Sequence, residues 1–173
     1  MKKPSDRPDS TSKARPIKSH DAGATSTTKA EVSKTLQEMA NIFEILGDNP
    51  FKIRSYQNAA RALDNLPRDL GEMLASGDLL QIKGIGKSLF AQIEELYTTG
   101  ELALYEETRG KIPGGLLALL RIPGLGPKKV RVLYEKLGVT SIEELEKAAK
   151  ADKIAGLDGF GERTQKKILD GIQ

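Results

Sequence analysis

Three short segments, Gly84-Ile85-Gly86, Gly124-Leu125-Gly126 and Gly159-Phe160-Gly161, hold the residues with the clearest chemical potential. Cations flank each of them: Lys83 and Lys87 at the first, Arg121, Lys128 and Lys129 at the second, Arg163 and Lys166 at the third. Glycine tolerates positive φ and lets another group come close to the backbone. A helix that opens just after the second glycine leaves its first N–H groups unsatisfied, at the positive end of the helix dipole, where they suit a phosphate. Such a contact reads no bases. One copy would pass for a glycine-capped helical connection, but three copies with flanking cations make phosphate the expected ligand. A nucleotide-binding P-loop is not expected. Gly86-Lys87-Ser88 mimics its end, yet Gln81 stands where that motif needs glycine.

Other chemistry is thinly provided. The chain of 173 residues has no cysteine, which removes disulfides, thiolate catalysis and cysteine-based metal sites. Its one histidine, His20, lies in a polar stretch and reads as solvated. No apolar run approaches the roughly 18 residues of a membrane span, and the N-terminus lacks a secretory signal. A cytoplasmic protein is expected, nucleoid-associated if bacterial, with no membrane partner. Residues 1–30 hold seven Lys/Arg against three Asp, whereas the rest carries 20 basic and 21 acidic residues. Phosphate affinity of the folded part must therefore come from local placement of charge and backbone N–H groups.

The elements that position the glycines are helical. Residues 1–29 are rich in Ser, Thr, Pro and Lys and predict a disordered basic tail, either solubilising or a loose phosphate-binding arm. Val32, Leu36, Met39, Ile42, Phe43 and Leu46 recur at helical spacing, and Gly47-Asp48-Asn49-Pro50 closes that helix. A second helix is expected from about Phe51 to Leu66, with Ile53, Tyr56, Ala60 and Leu63 on one stripe. Each Gly-apolar-Gly segment follows an apolar residue and a spacer and precedes an amphipathic helix: Leu89, Ile93, Leu96; Val130, Leu133, Leu137; Ile168, Leu169, Ile172. The middle apolar residue should plug the space between the two helices. The fold class is all-α, with three helix-hairpin-helix motifs, since no stretch alternates long enough for a strand.

The run from Asn49-Pro50-Phe51-Lys52 through Tyr56 to Arg61, followed by the first hairpin, resembles the N-terminal lyase domain of family X DNA polymerases, especially the bacterial type. The second and third hairpins are similar to the segment that follows in that family, so the resemblance covers about residues 31–173. It implies a small lyase-like helical domain over 30–109 and a tandem helix-hairpin-helix domain over 110–173, after the tail of 1–29. It also implies binding of gapped or nicked double-stranded DNA, alone or beside other repair proteins. Lys52 and Tyr56 match the family's 5′-phosphate pocket, though Tyr56 could equally be core and Lys52 solvated. The carbonyls of Leu80, Ile82 and Ile85, and of Leu120, Ile122 and Leu125, match those that hold Na+ or K+ when DNA is bound; no cofactor is required.

Two departures bear on activity. The family's palm domain does not follow, since the sequence ends at Gln173, so no polymerase activity is expected of this chain. The family's Schiff-base lysine falls on Gln92. A non-catalytic, sequence-independent DNA-binding protein is the reading, with the phosphate contacts at Gly84, Gly86, Lys87, Gly124, Gly126, Lys128, Lys129, Gly159, Gly161 and Arg163. One alternative is an N-terminal piece of a repair polymerase with residual 5′-deoxyribose-phosphate lyase activity through another lysine such as Lys87. Another is a protein-protein adaptor that uses the hairpin units as spacers, which predicts no salt-sensitive DNA binding.

Overall fold

The structure is a computed structural model that describes residues 27–173. The expected tail, including His20, lies outside the described residues except for its last three. Those three belong to the fold: Thr28 caps α1 (Lys29–Leu46), its hydroxyl accepting from the Glu31 N–H at 3.2 Å while the Glu31 carboxylate accepts from the Thr28 N–H at 2.7 Å. This capping box begins the helix ahead of the first apolar position of its stripe. Gly47 ends α1 with φ 72°. Asn49 then caps α2 (Pro50–Asp64), where Pro50 takes a first-turn position that needs no N–H donor.

Beyond α2 the chain forms α3 (Leu70–Ser76), a 3-10 turn over Asp78–Gln81, α4 (Lys87–Thr99), α5 (Ala103–Arg109), α6 (Gly115–Leu119), α7 (Pro127–Leu137), α8 (Ile142–Lys150) and α9 (Glu162–Ile172). No strand occurs among the described residues, so the fold is all-α. Two hydrophobic clusters form. The first unites Leu36, Met39, Leu63, Leu70, Leu79 and Ile93 from α1 to α4. The second unites Leu116, Leu119, Leu133, Leu145 and Ile168 from α6 to α9.

Helix α1 supplies both. Val32, Leu36, Met39 and Phe43 face the first cluster, whereas Ile42 and Ile45 are buried in the second. What the sequence presents as one apolar stripe is two faces of one helix, because at 100° per residue positions 42 and 45 point away from 36, 39 and 43. Leu46, the last residue of the helix, is exposed. The second cluster also relies on a close backbone approach: a Cβ at Gly115 would lie 2.0 Å from the Thr140 carbonyl oxygen.

Candidate nucleic-acid interface

The three hairpins repeat one backbone pattern. In each, two successive i→i−3 bonds wind the chain into the turn: Ile82 N–H to Leu79 and Ile85 N–H to Ile82; Ile122 N–H to Leu119 and Leu125 N–H to Ile122; Leu157 N–H to Ile154 and Phe160 N–H to Leu157. The first glycines, Gly84, Gly124 and Gly159, have φ of 95°, 88° and 81°, which an L side chain resists. The second glycines do not. Gly86, Gly126 and Gly161 have φ of −87°, −93° and −158°, open to any residue.

A Cβ added at Gly86, Gly126 or Gly161 would meet no atom within 4 Å, so nothing inside the protein demands glycine there. Their lack of a side chain clears the approach from outside. Each is the N-cap of the helix that follows, and none provides a side-chain cap. In contrast, Thr28, Asn49, Asp69 and Ser141 cap α1, α2, α3 and α8 with their side chains. The first N–H groups of α4, α7 and α9 are therefore left for an external acceptor. The middle residues Ile85 and Leu125 are buried as plugs, and Phe160 is half-buried.

The cations differ in their freedom. Lys87, Arg163 and Lys166 are exposed and pair with no carboxylate among the described residues. The Lys128 ammonium stands 4.0 Å from Glu44 of α1. That of Lys129 lies 5.7 Å from the Phe160 ring centroid, a cation–π contact that sets the second hairpin against the third. Gly171 of α9 also abuts Ile122 and Pro123 of the second hairpin. These two turns therefore adjoin.

The first hairpin adjoins α2 instead. Lys52, Ser55, Tyr56, Gly84, Gly86, Ser88 and Leu89 line one cleft of about 430 Å³. The two residues singled out for a 5′-phosphate pocket thus meet the glycines of the first turn. Tyr56 is buried, its ring edge-on to Phe43 at 5.1 Å, and its hydroxyl donates to Gln92 Oε1 at 2.8 Å. Gln92 Nε2 in turn donates to Ser88 Oγ at 3.2 Å. The Lys52 ammonium lies 4.1 Å from the Phe43 ring centroid and 2.9 Å from Asp48 Oδ2. Its hydrogen bond, aided by the Asn49 N–H, holds the Asp48 carboxyl below the usual range. A phosphate entering this cleft competes with Asp48 for Lys52.

The carbonyls assigned to a monovalent cation sit in these same turns. Those of Ile82 and Ile122 each accept one turn N–H at 3.1 Å, and a carbonyl oxygen has a second lone pair for a hard cation. Elsewhere, no group of three His, Asp or Glu residues suited to a metal ion occurs among the described residues.

The third hairpin hides a residue that its sequence pattern does not single out. Helix α8 ends at Lys150, well before the turn, and Asp152 adopts φ 56° in the intervening loop. Buried Gln165 on α9 holds that loop, accepting from the Ala155 N–H at 3.0 Å and donating to Asp152 Oδ1 at 2.8 Å. A polar residue facing inward on an otherwise amphipathic helix was the available signal.

Residues 27–102 match a helix-hairpin-helix domain family, and residues 116–173 match the SAM-like helix-hairpin-helix tandem family. This chain is built from helix-hairpin-helix domains. It is also similar to the DNA polymerase/3′-5′ exonuclease PolX of Bacillus subtilis (strain 168), with 38% identity over 144 residues. That match spans 83% of the chain but only 25% of the relative's length, and it bears out the resemblance to family X polymerases carried by the motifs. No helix among the described residues of this helix-hairpin-helix chain is long and apolar enough to cross a membrane.

Proposed function

We propose that this chain binds double-stranded DNA without sequence preference and engages gapped or nicked repair intermediates, beside other repair proteins. Backbone phosphates are held at the turns by Gly84, Gly86 and Lys87, by Gly124, Gly126, Lys128 and Lys129, and by Gly159, Gly161 and Arg163. A 5′-phosphate at the break enters the cleft of Lys52 and Tyr56. Na+ or K+ bridges the phosphate to the carbonyls of Leu80, Ile82 and Ile85, or of Leu120, Ile122 and Leu125.

The observation that carries this reading is the contrast in capping. The three hairpin helices begin at glycines without side-chain caps; the short α5 and α6 also lack such caps, whereas α1, α2, α3 and α8 are capped by polar side chains. The N–H groups so exposed contact phosphate, not base edges, which accounts for sequence independence. Position 92 offers an amide bonded to Tyr56, and an amide nitrogen does not form the imine of Schiff-base chemistry.

The test is an anisotropy titration of two duplexes of unrelated sequence across a range of salt. Three phosphate contacts give a log–log slope of about −2.7, the same for both duplexes. Affinity indifferent to salt, or a strong preference for one duplex, overturns the reading.

A further inference from the structure

A charged recess lies between the two clusters, its edge reaching the residues just before the second turn. It has a volume of about 740 Å³, and its walls are α1, the C-terminal half of α2, Arg109 of α5, and α6 with the residues just after it. Four cations line it: Lys34, Arg61, Arg109 and Arg121. All four are exposed, and none lies within ion-pair distance of a carboxylate among the described residues. Its two carboxylates are Glu38 and Asp64.

Glu38 is already engaged, since the half-buried Tyr105 hydroxyl donates to it. Burial, and then the bond to Glu38, push the Tyr105 pKa up to about 12, so the hydroxyl stays a donor at neutral pH. Four cations against two carboxylates leave the recess net positive. The opposite wall carries Leu117, Ala118 and Leu120, an apolar surface against which flat rings can lie.

We propose that this inter-module cleft binds single-stranded DNA, the unpaired strand opposite a gap, through its phosphates. The charge and apolar wall suit an anionic chain with exposed bases, because a basic groove tracks the backbone while bases rest on uncharged surface. Continuity favours DNA over an acidic peptide: Leu120 and Arg121 immediately precede the Ile122-Pro123-Gly124 turn, so a strand leaving the second hairpin meets the cleft edge first. Helix α2 joins the two sites, with Lys52 and Tyr56 at the 5′-phosphate cleft and Arg61 in this one.

The inference rests on the reading of the chain as a binder of gapped DNA, and the test separates the two. The full chain, Arg61→Glu/Arg109→Glu and the milder Arg61→Gln/Arg109→Gln are titrated with an intact duplex, with the same duplex carrying a gap of several nucleotides, and with a single-stranded oligonucleotide. Circular dichroism confirms folding, which the exposure of both arginines should preserve. Both double variants are expected to bind gapped and single-stranded DNA at least about tenfold more weakly. Their salt slope on the oligonucleotide should be shallower by about 1.4, for two lost contacts, with intact-duplex affinity within twofold of the parent. Unchanged affinity for all three DNAs, or an equal loss on all three, overturns the cleft assignment. Failure of the parent chain to bind any of the three overturns the hairpin reading itself.

Discussion

The first and second hairpins share a turn but differ in what stands behind it. Both have a positive-φ glycine, an extended second glycine and an uncapped helix. Behind the first lies a side-chain cleft, in which Lys52, Tyr56 and Ser88 surround a space large enough for a phosphate monoester. The second is backed by the third hairpin, through Lys129 on Phe160 and Gly171 on Pro123. A turn alone can follow a continuous backbone, but a strand end with its extra charge calls for a recess and a cation inside it. On the proposed function, end recognition falls to the first hairpin and tracking to the other two.

The largest effect should separate structural from surface glycines. Gly115→Val drives a side chain into the Thr140 carbonyl and should destabilise the second cluster by at least about 3 kcal/mol, read by urea denaturation. Gly126→Val fills open space at an allowed φ, so the same denaturation curve should stay near the parent's. If Gly115→Val melts like the parent, the close approach of α6 to Thr140 does not constrain the fold.

The next effect concerns tracking. Gly126→Val and Gly161→Val should each weaken duplex binding about tenfold, as expected for losing a hydrogen bond to a charged group worth roughly 1.5 kcal/mol. Lys128→Ala should cost less than about threefold, since that exposed ammonium is one charge of several and already leans toward Glu44. Equal losses for the glycine and lysine variants would make the contact one of diffuse charge, not of backbone approach.

The smallest effect sharpens the contrast between the hairpins. Lys52→Ala should reduce the preference for a 5′-phosphorylated gap over a 5′-hydroxyl gap by about threefold to fivefold, measured by competition. The effect is modest because Lys52 is partly exposed and Asp48 already holds it. Gly126→Val should leave that preference unchanged. A preference that survives Lys52→Ala and falls with Gly126→Val would place end recognition at the second hairpin.

The sequence by itself determined α1, α2 and the three helices that follow the hairpins, together with the three turns and the glycines of each. Those features are local: a period of 3.6, a residue that accepts positive φ and a break in side-chain pattern are written within a few consecutive positions. The start of α1 is written there too, in the capping box of Thr28 and Glu31, but the Ser- and Thr-rich run around Thr28 makes it read as tail. Only the tertiary structure decided which side chains share a space. That Tyr56 meets Gln92, that Lys52 faces Asp48, and that Gln165 pins the loop at Asp152 depend on how helices pack. So does the double duty of α1, whose Ile42 and Ile45 reach a core made of residues 112–168. Spacing along the chain fixes directions around one helix, but partners across a core are chosen by close packing of the whole.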